Sequence, residues 1–172
     1  SLAQGKTVAE FEEVFSGFVA GSSCVALNSG TSALHLGLLA LGVGFGDEVI
    51  VPTFTFAATA NAVAITGAKP VFVDIEPEYF SIDPSQVEAA ITKKTKAVIA
   101  VHLYGHPAQL DRLSEICKKH GLYLVEDAAQ AHLATFDGKP VGSWGAFGAF
   151  SFYPTKNMTT GEGGMATTNS AD

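Results

Sequence analysis

The sequence predicts an α/β protein built on a mostly parallel sheet flanked by helices. Short apolar runs alternate with amphipathic helical stretches along the whole chain, which is the rhythm of strand, crossover helix and next strand. Several runs are continuous rather than alternating, as in Val49-Ile50-Val51 and Val98-Ile99-Ala100-Val101, and this suits strands buried on both faces. Only 16% of the residues are charged against 47% hydrophobic, and 18 glycines are available for turns. A chain of 172 residues fills one domain of ordinary size.

Taken in order, a leading helix over 8–19 sets Phe11, Val14, Phe15 and Phe18 on one face. Strands follow at 24–27, 48–51, 70–74, 97–101, 122–126 and 146–152, with a short last one at 164–167. Helices are predicted between them at 31–41, 56–66, 84–91 and 108–120. The helix at 84–91 opens with Asp83 as N-cap and Pro84 at its first position, and it carries the carboxylate of Glu88. In the helix at 108–120, Leu110, Leu113, Ile116 and Cys117 form one stripe, and Gly121 stops it. Asp137-Gly138 reads as the tip of a hairpin.

Composition removes several function classes. Seventeen acidic and ten basic residues leave a net charge of −7 without a basic run, a poor match to sequence-independent nucleic-acid binding. No apolar run approaches the ~20 residues that span a bilayer, and Ser1-Leu2-Ala3-Gln4-Gly5-Lys6 lacks a signal-peptide pattern. Cys24 and Cys117 are far apart and form no CxxC or zinc-ligand pattern, so a cytoplasmic location and no metal are expected. The chain opens just before a helix and stops just after a strand, and a fragment of a longer protein is expected.

In an open parallel sheet, ligands sit beyond the carboxyl ends of the strands, and four segments at such ends carry polar or aromatic groups. Asn28-Ser29-Gly30-Thr31-Ser32-Ala33 enters a helix, where backbone N–H groups and small hydroxyls either cradle a phosphate or simply cap the helix. Asp127, in Glu126-Asp127-Ala128-Ala129-Gln130, is a strand-end carboxylate suited to a metal, a general base, the protonated nitrogen of a heteroaromatic cofactor or an N-cap. Lys156 sits in a loop after Phe147, Phe150 and Phe152, where an amine near apolar surface becomes nucleophilic, although a lone loop lysine is usually solvated. In Pro52-Thr53-Phe54-Thr55-Phe56-Ala57-Ala58-Thr59, Phe56 can lie against a ring and Phe54 suits ordinary core. His102, Tyr104 and His106 read as site lining or satisfied core groups. Together, a phosphate cradle, an aromatic face, a carboxylate and a lysine are the four contacts that pyridoxal phosphate needs.

The chain resembles the sugar-nucleotide aminotransferases of the DegT/StrS family, pyridoxal-phosphate enzymes of the aspartate aminotransferase-like fold type I. The resemblance rests on Asn28-Ser29-Gly30-Thr31-Ser32-Ala33-Leu34, Gly46-Asp47-Glu48-Val49-Ile50-Val51-Pro52, Val125-Glu126-Asp127-Ala128-Ala129-Gln130-Ala131-His132 and Ser151-Phe152-Tyr153-Pro154-Thr155-Lys156-Asn157, in the family's order. It implies that residues 1–172 are a truncated cofactor-binding large domain, with the C-terminal small domain absent. By position, Lys156 matches the lysine linked to pyridoxal 5'-phosphate, Asp127 the partner of the pyridinium nitrogen, and Gln130 the residue near the phenolic oxygen. Thr31, Ser32 and Ser151 match phosphate contacts, and Phe56 matches the stacked aromatic. Two positions depart from the pattern: Leu133 stands where glycine usually follows the histidine, and Ala146 replaces a common acidic residue.

The resemblance implies transfer of an amino group, with glutamate as donor, to a nucleotide-linked keto sugar in polysaccharide or amino-sugar biosynthesis, by a homodimer. A dehydratase using the same cofactor is the rival enzymatic reading, but those relatives carry histidine where this chain has Lys156. A non-catalytic regulatory or assembly protein that keeps the fold is the third reading.

Overall fold

The computed structural model describes residues 5–170. Parts of the first and last segments read above, Ser1 to Gln4 and Ala171-Asp172, lie outside the described residues. The chain runs α1 (Lys6–Phe18), β1 (Ser23–Leu27), α2 (Gly30–Ala40), β2 (Glu48–Pro52), α3 (Ala58–Ile65), β3 (Lys69–Val73), α4 (Pro84–Ala90), β4 (Thr95–Val101), a 3-10 turn (Leu103–Gly105), α5 (Leu110–His120), β5 (Tyr123–Asp127), β6 (Thr135–Phe136), β7 (Lys139–Pro140), β8 (Phe147–Ser151) and β9 (Gly164–Thr168). Seven strands form one sheet in the order β1-β9-β8-β5-β4-β2-β3, and β6 and β7 make a separate hairpin around Asp137-Gly138.

Strands β3, β2, β4, β5 and β8 are mutually parallel. Strand β9 runs antiparallel between β8 and β1, so β1 points the same way as the parallel block. The mostly parallel sheet is thus realised as a mixed one with a single reversed strand. Its side chains divide by the two-residue period of a strand. Ile50, Val98 and Ala100 join Phe15, Leu113, Ile116, Phe150 and Phe152 on one face. Val49, Val51, Ala97, Ile99 and Val125 join Leu34, Leu38, Val63 and Phe147 on the other. Helices α1, α4 and α5 contribute to the first core, and α2 and α3 to the second. The continuous apolar runs of β2 and β4 are the direct result, because both of their faces are covered.

Helix ends follow local chemistry. Asp83 accepts from the Ser85 N–H at 2.8 Å and Pro84 opens α4, as predicted. Gly121 closes α5 with φ +67°, in the left-handed region that glycine tolerates. On α1 only Phe15 is fully buried, while Val14 and Phe18 are 61% and 45% exposed. One expectation is corrected. Phe54 is not core: it is largely exposed and meets Phe80 edge to face, with ring centroids 6.2 Å apart.

Candidate active site

Because β1, β2, β4, β5 and β8 share one direction, their carboxyl ends open on one edge of the sheet. There a cavity of about 570 Å³ is lined by residues from each of the four segments singled out above, among them Thr31, Phe56, Asp127, Gln130, Ser151 and Lys156. Ser32 is the one predicted site residue that does not line it. Its N–H donates to the Ser29 hydroxyl oxygen at 3.1 Å, and its own hydroxyl oxygen lies 3.0 Å from that of Ser29, so Ser32 shapes the cap from behind.

The α2 N-terminus is held by close backbone packing. Ser29 is the N-cap. A Cβ added to Gly30 would lie 2.8 Å from the Ser151 Cβ, and one added to Gly164 would lie 2.3 Å from the Ser29 carbonyl carbon. Three chain segments therefore meet where only hydrogen fits, and Ser29, Gly30, Thr31 and Ser151 line the cavity there. A helix N-terminus flanked by such hydroxyls can cradle an anion.

Strand β5 ends on two buried carboxylates that point to opposite faces. Glu126 accepts from the backbone N–H groups of Gly142, Trp144 and Gly145 at 2.7, 2.7 and 2.9 Å, and lies 3.1 Å from His102 Nε2. The Ala108 N–H donates to His102 Nδ1 at 3.1 Å, which puts the ring proton on Nε2, facing Glu126. Burial opposes ionisation of Glu126, but the His102 bond and the N–H donors outweigh it and hold its pKa below the ordinary 4.5.

Asp127 is the reverse case. Its Oδ2 accepts from the Thr59 hydroxyl at 2.7 Å and its Oδ1 from the Ala129 N–H at 3.2 Å. Burial dominates and raises its pKa above the ordinary 3.8, although both bonds and the nearby Lys156 charge pull the other way. A carboxylate so placed calls for a cation on its cavity side.

Lys156 stands across the same cavity, its backbone N–H donating to Tyr153 O at 2.9 Å. Its amine has no hydrogen-bond or ion-pair partner among the described residues. Gln130 accepts through Oε1 from the Tyr104 N–H at 2.7 Å, which leaves its NH₂ free to donate. Phe56, 73% exposed, forms part of the wall. Behind Lys156, His132 Nδ1 is 2.6 Å from Asn157 Oδ1, tying the lysine loop to the segment after β5. Burial lowers the His132 pKa, so the ring is neutral and Nδ1–H donates. Of the three residues read as lining or core, His102 is buried and satisfied, Tyr104 is exposed, and His106 stacks on Tyr79 with centroids 4.3 Å apart.

Sequence reasoning gave no role to Thr55 and Thr59, although both stand in the fourth segment. Thr59 is fully buried inside α3, a helix otherwise made mostly of alanine, valine and isoleucine, and that lone hydroxyl was the available signal.

Polar groups gathered past the carboxyl ends of parallel strands define this chain as an open α/β protein of the ligand-binding kind. A family model for the DegT/DnrJ/EryC1/StrS aminotransferase family matches residues 1–172, and the chain belongs to that family. It is 48% identical over 168 residues to GDP-perosamine synthase of Caulobacter vibrioides, covering 98% of this chain and 45% of that protein. It is 49% identical over 170 residues to UDP-N-acetyl-3-dehydro-alpha-D-glucosamine 3-aminotransferase of Acidithiobacillus ferrooxidans, covering 98% and 45%. The fold superposes on the PLP form of Spr1654 from Streptococcus pneumoniae with a TM-score of 0.94 at 39% identity, covering 97% of this chain and 46% of that one. The chain spans less than half the length of the relatives it matches.

Proposed function

We propose that the full protein is a pyridoxal-phosphate-dependent aminotransferase that moves an amino group, with glutamate as donor, onto a nucleotide-linked keto sugar. The observation that carries this reading is one cavity bounded by the Lys156 amine, the buried Asp127 carboxylate and the α2 N-terminus. The residues fit the cofactor on two grounds. A Cβ at Gly30 or Gly164 would crowd the anion cradle, and Asp127 is a buried carboxylate short of a cation. Thr31 and Ser151 would hold the phosphate, with Ser32 supporting the cap. Phe56 would cover the ring, Gln130 would donate to the phenolic oxygen, and Asp127 would face the ring nitrogen.

Bound there, the cofactor supplies a carbonyl carbon for amine exchange and a ring that withdraws electrons. The chain's own residues do the rest. Asp127 holds a positive charge at the ring nitrogen, since an opposite charge favours the protonated form. The Lys156 amine would serve as the nucleophile that holds the group and as the base at Nζ that moves a proton. The cradle would fix the group's orientation beside that amine.

Residues 1–172 are in this reading the large-domain part of a longer enzyme. The exposed Phe56 and Tyr153 on the cavity wall support completion of the site by a second subunit and by the remainder of the chain. The names of the two curated relatives support a nucleotide-linked sugar as substrate. The test incubates the full-length protein with pyridoxal phosphate, glutamate and a panel of nucleotide keto sugars, then detects the amino sugar. Borohydride should fix the cofactor on Lys156 of the wild type and leave Lys156→Ala unlabelled. Labelling of the variant at an unchanged level sinks the reading.

A further inference from the structure

We propose that Thr59, backed by Thr55, is a positioning residue that keeps Asp127 ionised and so keeps the shared proton on the nitrogen of the bound heterocycle. The inference rests on the cofactor reading above, and it concerns two residues to which that reading assigns no contact.

Thr59 is fully buried and its Oγ1 lies 2.7 Å from Asp127 Oδ2, a bond between positions 68 residues apart in sequence. Thr59 does not line the cavity, whereas Thr55 does. The two hydroxyl oxygens are 2.8 Å apart. A hydroxyl has one proton; with that of Thr59 committed to the carboxylate, Thr55 must donate to Thr59. The chain therefore runs in one direction, Thr55 to Thr59 to Asp127, and each donor polarises the next. The other charged or titratable groups near Asp127 are few among the described residues. Lys156, Glu162 and His102 line the cavity with it. His102, at the end of β4, points its Nε2 at Glu126, and Glu126 itself lies on the opposite face of β5.

In a dry site, an ion pair and the neutral pair made by proton transfer are close in energy. Moving the proton from ring nitrogen to Oδ breaks an N–H bond, forms an O–H bond and cancels both charges. A hydroxyl donating to the carboxylate stabilises the charged form far more than the protonated one. Burial of Asp127 works against ionisation, and of its two hydrogen-bond donors the Thr59 hydroxyl is the nearer.

The experiment loads the full-length protein with pyridoxal phosphate labelled with nitrogen-15 in the ring and records the ring nitrogen's chemical shift. The wild type is expected to show a pyridinium-type shift. Thr59→Val, which keeps the volume and deletes the hydroxyl, should move the shift toward neutral pyridine and weaken cofactor affinity about tenfold. Thr59→Ser should restore both. Thr55→Val, at a half-buried position, should move the shift in the same direction by less, and it carries the test if Thr59→Val does not fold. A wild-type shift in both valine variants overturns the inference, including the case in which affinity alone falls. A wild type that binds no cofactor, or holds it with a neutral-pyridine shift, overturns the parent reading and this one with it.

Discussion

Glu126 and Asp127 are consecutive residues whose buried carboxylates lie on opposite faces of β5 and are shifted in opposite directions, Glu126 down and Asp127 up. The difference lies in the donors. Glu126 meets three backbone N–H groups and an imidazole N–H, whereas Asp127 meets one hydroxyl and one long N–H contact. One carboxylate is saturated and structural. The other is left wanting a cation at the cavity.

Glu126→Gln is expected to destabilise the protein by about 3 kcal/mol. Every partner of Glu126 is a donor, and His102 cannot reverse its tautomer because Ala108 already occupies Nδ1. The new NH₂ group would therefore face N–H groups. The wild-type group also predicts acid lability. Its folded pKa lies below its unfolded one, so its stabilisation is present above pH 4.5 and is lost as pH falls through the folded value. Urea unfolding between pH 3 and pH 7 should show this slope in the wild type and a flatter one in Glu126→Gln.

Asp127→Asn should do the opposite to the cofactor-free protein and make it more stable near neutral pH. The folded pKa of Asp127 is raised, so between the ordinary 3.8 and the folded value the native state binds more protons than the unfolded one. Stability then falls as pH rises through that window. Asparagine fits the site: its oxygen can accept from the Ala129 N–H while its NH₂ donates to Thr59, whose proton turns toward Thr55. A series of thermal melts upward from pH 4 should show stability falling as pH rises in the wild type, and less so in the variant. Cofactor-dependent turnover should fall severely. A variant with near-normal turnover would contradict the charge-holding role.

Much of this arrangement was legible in sequence because it is local. The Ser29 cap, the Asp83-Pro84 helix start, the Gly121 stop and the Asp137-Gly138 tip each depend on residues within a few positions of one another. The family likeness rests on four such local stretches, three of which supply residues that meet at the cavity. What escaped was non-local or conformational. Pairing of β1 with β9 joins Leu27 to Gly164, and no short-range pattern announces a reversed strand slipped between β1 and β8. The Thr59–Asp127 bond spans 68 positions. The exposure of Val14 and Phe18 depends on what covers α1, whereas periodicity reports only that they share a face.

Gly164→Ala is expected to abolish cofactor retention and cost several kcal/mol. The added Cβ would sit 2.3 Å from the Ser29 carbonyl carbon and carbonyl oxygen. Both atoms are backbone, so no side chain can swing aside. Ser29 also pins the α2 N-terminus, so any shift of β9 away from it opens the cradle. Gel filtration after loading with pyridoxal phosphate, together with a thermal melt, checks both effects. Retention of cofactor and an unchanged melt would show that the contact gives way freely.

Leu133→Gly should stabilise the protein, although it removes a large side chain. Leu133 has φ +65° and is 57% exposed, so it sits in the left-handed region with little burial in return. That conformation costs a side-chain-bearing residue about 1–2 kcal/mol, while glycine's extra entropy loss on folding is roughly 0.5–1 kcal/mol. The balance favours glycine by about 0.5–1 kcal/mol. The same geometry explains why glycine is usual after the histidine in the family pattern, and why the departure at this position alters backbone strain and leaves the cavity-lining residues in place. Leu133→Ala is the control, because it deletes the same exposed side chain while keeping the Cβ that makes the conformation costly. Urea unfolding should rank glycine above the wild type, with alanine no better than the wild type. If alanine gains as much as glycine, loss of exposed apolar surface is the cause and the backbone argument is wrong.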